Sequence, residues 1–307
     1  MNRNTRFLSI AAAIFAALCW GSSTIMSKGA LNSFRPSALL VVQLTASVAF
    51  IWTILLIRGV KRPSIPEAAR FAWLGLLEPG AAYLLGLRGL AATQAGGATL
   101  IQSSESIMIV FIAAVLIKER VTKRIMYLSV AAFSGLILAL GHPAAGTISP
   151  GNLTGDGLIF VGTFVAGIYV VLSSRIAADW DPMLIVGCQQ IVALLFALAF
   201  LPFEKTSGAM PPPSALPLRI WALALSSGIV QYALAFSFYL FAMRGIGASV
   251  AGAFLNLIPV IGLLGAFLCF RETLTSVQLA GIFITIGCLF LISRGDSQSS
   301  QSITEAA

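Results

Sequence analysis

The fold is decided by a stretch of sequence that occurs twice. Residues 103–120 read SSESIMIVFIAAVLIKER, and residues 256–273 read NLIPVIGLLGAFLCFRET. Each copy opens on polar residues or a proline, continues as an apolar run of helical length, and ends on a basic residue followed by glutamate. Glu119 and Glu272 lie 153 positions apart, about half of the 307-residue chain, which predicts an internal duplication.

A second landmark supports the duplication. The segment FRPSALLVVQ, which ends at Gln43, matches WDPMLIVGCQ, which ends at Gln189, 146 residues later. The change in separation from 146 to 153 requires about seven additional residues in the second copy. The proline-rich connector 202–218 is longer than its counterpart 58–68 and roughly accounts for them.

The composition is that of a membrane protein. Hydrophobic residues make up 58% of the chain and charged residues only 10%, whereas soluble domains carry roughly 25% charge. Mean hydropathy is +0.94. The net charge of +8 comes from short Lys and Arg clusters between apolar runs, with no basic face, so we predict a lipid bilayer and no nucleic acid as partner.

Apolar runs of spanning length recur along the chain. The sequence predicts an all-α integral membrane protein with ten transmembrane helices, at residues 7–26, 36–57, 69–90, 97–117, 125–140, 158–172, 183–201, 220–243, 250–270 and 277–292. The first run is too long for a cleaved signal, and we interpret it as a helix. These helices form two five-helix repeats, 7–141 and 157–294, followed by a polar tail, 295–307, predicted to be disordered.

An odd number of helices in each repeat forces the second repeat to enter the membrane upside down. We therefore expect an inverted-topology repeat with a pseudo-twofold axis in the membrane plane. With a cytoplasmic amino terminus, ten of the thirteen Lys and Arg residues in positions 1–141 face the cytoplasm, while those of the second repeat are balanced. Both termini are predicted to be cytoplasmic.

Metal and cofactor chemistry have little support in the sequence. The four cysteines lie in apolar runs, and the only histidine, His142, lies in a Gly/Pro loop. We predict no metal site and no cofactor. A membrane-embedded enzyme would need a nucleophile with a base or a metal centre, so the prediction is that the protein is not an enzyme.

Several short motifs carry a family resemblance over residues 7–294. They are CWGSS at 19–23, the basic-Glu exits at Lys118-Glu119 and Arg271-Glu272, and NLIP at 256–259. Together these resemble the drug/metabolite transporter superfamily, in its ten-helix EamA-type branch. Overall likeness is greatest to bacterial YddG-type exporters of aromatic amino acids, which implies a transporter in the bacterial cytoplasmic (inner) membrane.

Two positions depart from the family pattern. Gln43 stands where family members often have Arg, and Ser106 stands where they often have Pro. The missing Arg removes a fixed positive charge from the expected cavity. Strongly anionic substrates are therefore disfavoured, and neutral or zwitterionic ones remain open.

Polar and aromatic residues inside the predicted spans are candidates for a substrate cavity, because such groups are costly in lipid unless they face a cavity or each other. The candidates are Trp20, Ser23, Gln43, Glu78, Tyr83, Gln102, Ser103, Glu105, Tyr169, Gln189, Tyr239 and Asn256. Most intramembrane tyrosines are expected to form interfacial belts, whereas Trp20 fits a cavity wall.

Each main candidate has a structural alternative. Glu78 precedes Pro79, which should kink the third span. The acid either binds a substrate ammonium or a proton, or it pairs with Arg88 or caps the broken backbone. If helical, Glu105 shares a face with Gln102 and Ser106, as a binding surface or as contacts between helices.

The remaining polar candidates divide in the same way. Gln43 and Gln189 are equivalent and serve either a zwitterion or interhelical bonds. Asn256 should interrupt the ninth helix. Glu119 and Glu272 are expected to be caps or ion pairs.

The sequence thus favours a transporter that exports aromatic and other neutral or zwitterionic amino acids and related small metabolites by alternating access. A multidrug or toxic-cation exporter of the same superfamily is the alternative, with a membrane-embedded enzyme and a channel as further alternatives. The exact substrate, the energy coupling and the oligomeric state, including a monomer, stay open.

Overall fold

Helices make up almost all of the computed structural model, which describes residues 3–31, 33–92, 101–140, 152–177, 179–203, 216–270 and 275–295. Within these ranges there is no strand, so the predicted all-α class is confirmed. The helices are α1 (Arg3–Leu31), α2 (Pro36–Ile57), α3 (Ile65–Ala72), α4 (Ala82–Ala92), α5 (Glu105–Leu116), α6 (Lys123–Leu140), α7 (Asn152–Ile176), α8 (Pro182–Phe200), α9 (Leu218–Gly228), α10 (Ala235–Met243), α11 (Ala248–Phe254), α12 (Leu257–Phe270) and α13 (Ser276–Gly295).

Local sequence signals fix several helix starts. Asp181 caps α8, since its carboxylate accepts from the backbone N–H of Met183 at 2.9 Å, and a proline occupies the first helical position. Ser64 and Glu67 form a capping box at the start of α3. The Ser64 hydroxyl and then its backbone N–H hold the pKa of Glu67 below its usual value.

Seven helical stretches are long and apolar enough to cross a bilayer. They are Asn4–Ser23, Pro36–Ile57, Lys123–Leu140, Leu153–Ile176, Pro182–Phe203, Leu218–Met243 and Ser276–Arg294, with the shorter apolar helices Ile101–Leu116 and Ala248–Gly262 beside them. Large apolar side chains face outward, with Ile57 80% exposed and Phe283 72% exposed. Such a surface is stable against lipid, and the chain is a multi-pass membrane protein.

The predicted count of ten spans stays a prediction. The predicted span 69–90 falls on α3, irregular helix and α4, and the predicted span 250–270 is divided between α11 and α12. The start of the predicted span 97–117 lies outside the described residues, as does the tail after residue 295. Both irregular spans carry a polar residue and a proline, Glu78 with Pro79 and Asn256 with Pro259.

Two helices change their winding midway. A 3₁₀ turn, Trp73–Leu76, and a π-helical turn, Leu77–Ala81, join α3 to α4, and Glu78 has extended backbone angles (φ −145°, ψ 132°). The kink predicted at Pro79 is thereby confirmed. A second π-helical turn, Ile229–Leu234, joins α9 to α10, and no proline marks it in the sequence.

Glycines allow the closest helix contacts around these turns. A Cβ on Gly75 would overlap the backbone carbonyl of Gln189 in α8. A Cβ on Gly228 would likewise overlap the backbone of Gln43 in α2. The irregular segments are therefore held against α2 and α8 at backbone-to-backbone distance.

Polar contacts collect at one end of the bundle. Arg58 at the end of α2 pairs with Asp181 before α8 at 2.9 Å. Arg175 at the end of α7 donates to the carbonyl of Ile117 at 2.9 Å, and Arg124 at the start of α6 donates to the carbonyl of Leu291 at 3.2 Å. The helix ends that should share the cytoplasmic side are thus neighbours.

Candidate functional site

Six aromatic side chains meet in the middle of the bundle. The Trp20 ring lies edge-on to Phe236 at 5.2 Å and to Tyr239 at 5.3 Å between centroids. Tyr83 lies 5.4 Å from Tyr232. We call this set the aromatic cage; its members are Trp20, Tyr83, Tyr169, Tyr232, Phe236 and Tyr239.

The cage joins helices from both halves of the chain. α1 supplies Trp20, α4 supplies Tyr83 and α7 supplies Tyr169, while the second π-helical turn and α10 supply the other three rings. Edge-on and offset ring pairs at these distances stabilise the packing of such helices. All four intramembrane tyrosines lie here, so the expectation that most of them form interfacial belts was wrong.

Two carboxylic acids lie beside the cage. Glu78 and Glu105 are deep in the protein and close enough to interact electrostatically, yet each retains some accessible surface. Among the described residues, neither carboxylate makes an ion pair or a side-chain hydrogen bond. A carboxylic acid in that position is costly unless it faces a cavity that holds water, a proton or a cation.

Arg88 does not neutralise Glu78. Its guanidinium carbon lies over the Phe200 ring, 6.0 Å from the centroid, and the side chain is exposed. The predicted alternative of a Glu78–Arg88 pair is therefore absent from the described structure.

Tyr239 adds a polar atom without a partner. The residue is 1% exposed, and its Oη makes no hydrogen bond within the described part of the chain. Its two strongest electrostatic neighbours are Glu105 and Glu78. A hydroxyl with free donor and acceptor capacity therefore lies beside the two acids.

The first glutamine network crosses between the halves of the chain. The Nε2 of Gln43 donates to Ser27 at 2.9 Å and to Ser227 at 2.8 Å. The Ser27 hydroxyl donates to Oε1 of Gln231 at 3.2 Å, and Nε2 of Gln231 reaches the Tyr83 hydroxyl at 3.4 Å. Both amide hydrogens of Gln43 are thus used within the protein, and Gln231 connects this network to the cage.

The second glutamine network has the same local layout. Gln189 donates from Nε2 to Ser173 at 3.5 Å, sixteen residues before it, just as Gln43 contacts Ser27 sixteen residues before it. The Tyr169 hydroxyl donates to Oε1 of Gln189 at 2.8 Å. Gln189 is 1% exposed, so its amide is committed to protein partners.

Asn256 lies where the chain interrupts a helix, as predicted. Residues 255–256 form a turn between α11 and α12, and Ser106 in α5 donates to Oδ1 of Asn256 at 3.1 Å. Ser106 is buried whereas Gln102 is exposed, because a turn at Ser104 separates them. The expected common face of Gln102, Glu105 and Ser106 is thus divided.

The other candidates lie in less informative places. Ser23 is buried, and its hydroxyl donates to the carbonyl of Trp20 at 2.9 Å within α1. Ser103 is buried, and its carbonyl accepts from Ser106 at 3.4 Å. Glu119 accepts from the backbone N–H of Ser249 at 3.3 Å, which fits the predicted capping role.

Sequence reasoning left five residues of the site out of the candidate set: Ser27, Ser227, Gln231, Tyr232 and Phe236. The available signal was the repeat itself. Gln231 lies 153 residues after Glu78, the same separation that relates Glu119 to Glu272. His142 and Glu272 lie outside the described residues, within which no cluster of three potential metal ligands occurs.

A bundle of apolar helices with an acidic and aromatic centre defines a multi-pass membrane protein. The chain belongs to the EamA-like transporter family, whose sequence model matches it twice, over residues 7–141 and 153–294. Membership in a transporter family indicates a transporter and not an enzyme. The predicted superfamily is thus confirmed, whereas the likeness to YddG-type exporters stays a prediction.

Individual relatives are distant. The uncharacterized transporter YyaM of Bacillus subtilis (strain 168) is 21% identical over 272 residues, which are 88% of each chain. A protein of Streptantibioticus cattleyicolor described as "Probable terminal-alkyne amino-acid exporter" is 23% identical over 286 residues, 92% of each chain. A chain solved by crystallography shares the fold with a TM-score of 0.77 at 18% identity, covering 93% of this chain and 97% of its own.

Proposed function

We propose that the protein exports aromatic and other neutral or zwitterionic amino acids, and that the substrate binds in the aromatic cage. One observation carries the proposal: Glu78 and Glu105 lie beside six aromatic rings with no cationic partner among the described residues. A substrate ammonium supplies the missing charge. Aromatic faces add cation–π attraction of about 0.5–2 kcal/mol to such a group.

The cage also suits an aromatic side chain. The ring pair Tyr83–Tyr232 and the neighbouring Phe236 present apolar surface with hydroxyls at its edge. A phenyl or indole group packs favourably on such rings. The amino-acid exporter of Streptantibioticus cattleyicolor supports this substrate class by distant similarity alone.

The inverted repeat, ten helices in units 7–141 and 157–294, belongs to the same proposal. Its support is that contacts come in pairs: Gly75 lies against Gln189 and Gly228 against Gln43. A Cβ on Gly21 would meet Ile261 at 2.7 Å, and one on Gly167 would meet Ile112 at 3.0 Å. Transport then occurs by alternating access, as the two repeats rock around the cage.

The proposed orientation places both termini in the cytoplasm of a bacterial cell, with the protein in the inner membrane. The positive residues of the first repeat favour it. The contacts Arg58–Asp181 and Arg175–Ile117 are compatible with it, because they join helix ends expected on one side.

Counterflow in proteoliposomes tests the proposal. Vesicles loaded with unlabelled phenylalanine should accumulate labelled phenylalanine above the level of empty vesicles, and uptake should saturate. Glu105→Gln should lower this rate about tenfold or more, equivalent to about 1.4 kcal/mol, while the protein remains folded by size-exclusion chromatography. Glu67→Gln keeps the exposed capping box of α3 and is the matched control.

Two results would contradict the proposal. No saturable flux of any amino acid in a broad panel would remove the function. Unchanged flux of Glu105→Gln would remove that carboxylate from the site.

A second candidate function has a specific observation in its favour. Among the described residues, the tyrosine hydroxyls of the cage hydrogen-bond to the neutral amides of Gln189 and Gln231, so a substrate carboxylate would find neutral donors there. This arrangement also suits an organic cation, as expected of a multidrug or toxic-cation exporter. Competition of labelled phenylalanine flux by tetraphenylphosphonium, with flux of the cation itself, would favour this second function.

A further inference from the structure

The two irregular helix segments carry an acid and an amide at matching positions. Glu78 lies in the first π-helical turn and Gln231 in the second, 153 residues later. Gly75 and Gly228, three residues earlier in each case, are also 153 apart, and each lies against one glutamine of the pair Gln189 and Gln43. Gln231 is therefore the counterpart of Glu78.

Both side chains border the same pair of rings. The Nε2 of Gln231 lies 3.4 Å from the Tyr83 hydroxyl and 3.5 Å from the Tyr232 hydroxyl. Glu78 is an electrostatic neighbour of both tyrosines. Glutamate and glutamine have almost the same shape, so the difference between the two sides is one of charge.

We propose that Gln231 selects substrates that carry a carboxylate, because it receives that carboxylate while Glu78 and Glu105 receive the ammonium. The inference rests on the proposed function and gives the substrate a direction in the cage. The pseudo-symmetric cage thereby distinguishes zwitterions from simple amines.

The hydrogen-bond distances support this role for Gln231. Its two N–H contacts, at 3.4 and 3.5 Å, are at the long limit for N–H···O bonds, which are commonly 2.9–3.0 Å. Gln43, in contrast, donates at 2.8 and 2.9 Å. The two N–H groups of Gln231 are therefore only weakly held by the tyrosine hydroxyls, and a ligand oxygen can replace those contacts while Oε1 stays bonded to Ser27.

Tyr239 supplies an independent sign of a ligand on the acidic side. Its buried Oη has no partner among the described residues and is an electrostatic neighbour of Glu105 and Glu78. An ammonium has three N–H donors. A bound amine could therefore donate to the Tyr239 hydroxyl oxygen in addition to the two carboxylates, which would give this buried hydroxyl a hydrogen-bond partner.

Three probes that share a phenyl ring test the assignment: phenylalanine, phenethylamine, which lacks the carboxylate, and 3-phenylpropionate, which lacks the amine. Inhibition of labelled phenylalanine counterflow gives their relative affinities in the wild type, and direct binding to purified protein gives them in the variants. The wild type should prefer phenylalanine to either of the other two.

Gln231→Glu should shift the preference from phenylalanine towards phenethylamine by about tenfold or more, because two like charges repel each other in a desolvated site. Gln231→Met, which keeps the size and removes the donors, should shift the preference in the same direction by a smaller factor.

Glu78→Gln should weaken the binding of both phenylalanine and phenethylamine. The double variant Glu78→Gln with Gln231→Glu exchanges the two groups and should recover the preference for the zwitterion. Gln278→Glu, in the exposed capping box of α13, is the matched control.

The assignment would be overturned if the ratio of the affinities for phenylalanine and phenethylamine changed less than about twofold in both folded Gln231 variants. The expected tenfold change corresponds to about 1.4 kcal/mol. Wild-type protein that neither moves nor binds phenylalanine would overturn the proposed function together with it. Active wild type with unchanged ratios would overturn the assignment alone.

Discussion

Tyr239 is a residue where stability and function are expected to separate. Burying a hydroxyl without a partner costs free energy, so Tyr239→Phe should leave the thermal stability unchanged or raise it. If that hydroxyl contacts the substrate, the same change should raise the KM for phenylalanine several-fold. Tyr127→Phe, at an exposed position, is the control. A lower melting temperature with unchanged KM would make the hydroxyl structural.

Gln43 should behave in the opposite way. Both of its amide hydrogens are held by serines of other helices, so Gln43→Leu should destabilise the protein. A double-mutant cycle with Ser227→Ala should give a coupling of about 0.6 kcal/mol and no more than about 1.7 kcal/mol, as found for hydrogen bonds between membrane helices. Zero coupling would contradict the structural role of this bond.

Among single residues, the acids are easier to select as candidates from the sequence than the aromatics. Glu78 and Glu105 stand out because a carboxylate inside an apolar run is rare and costly. Tyr83, Tyr169 and Tyr239 do not stand out in the sequence in this way, because tyrosine is also common at membrane interfaces, where it has no role in a substrate site. Phe236 has no polar atom at all, and only the three-dimensional contacts with Trp20 and Tyr232 place it in the cage.

At the scale of elements, the contacts of the two irregular segments depend on glycine. Gly75→Ala and Gly228→Ala should each destabilise the protein by about 1–3 kcal/mol, the usual cost of overpacking, because the added Cβ would meet backbone atoms that cannot move aside. Gly157→Ala and Gly287→Ala, where a Cβ would meet nothing within 4 Å, should be neutral or stabilising. Thermal denaturation in detergent measures all four variants.

Equal melting temperatures for the two sets of glycine variants would contradict the close approach of these helices.

The sequence predicted the first irregular segment from Pro79, whose ring excludes a regular helix. It could not predict the second at Ile229–Leu234, because no proline is present and a π-helical turn has no strong local signature. Gly228, immediately before this turn, packs against the backbone of Gln43 in α2.

At the scale of the whole molecule, the membrane class followed from composition and the family from short motifs. The direction of each helix was predicted from parity and from the distribution of Lys and Arg. The direction of each helix depends on the number of spans before it, and one additional or missing span would reverse the orientation of every helix after it. The opposed orientation of the two repeats is thus the central claim, since the pairing of Glu78 with Gln231 and the alternating-access cycle both depend on it.

Labelling of single cysteines tests that claim most directly. In a protein whose four native cysteines are replaced, Arg120→Cys and Thr273→Cys place one thiol after each copy of the repeated stretch, and Ser300→Cys marks the side of the tail. In intact cells, a membrane-impermeant maleimide should react with Thr273→Cys alone, and the other two should react only after the membrane is opened. Reaction of Arg120→Cys and Thr273→Cys from the same side would contradict the inverted repeat.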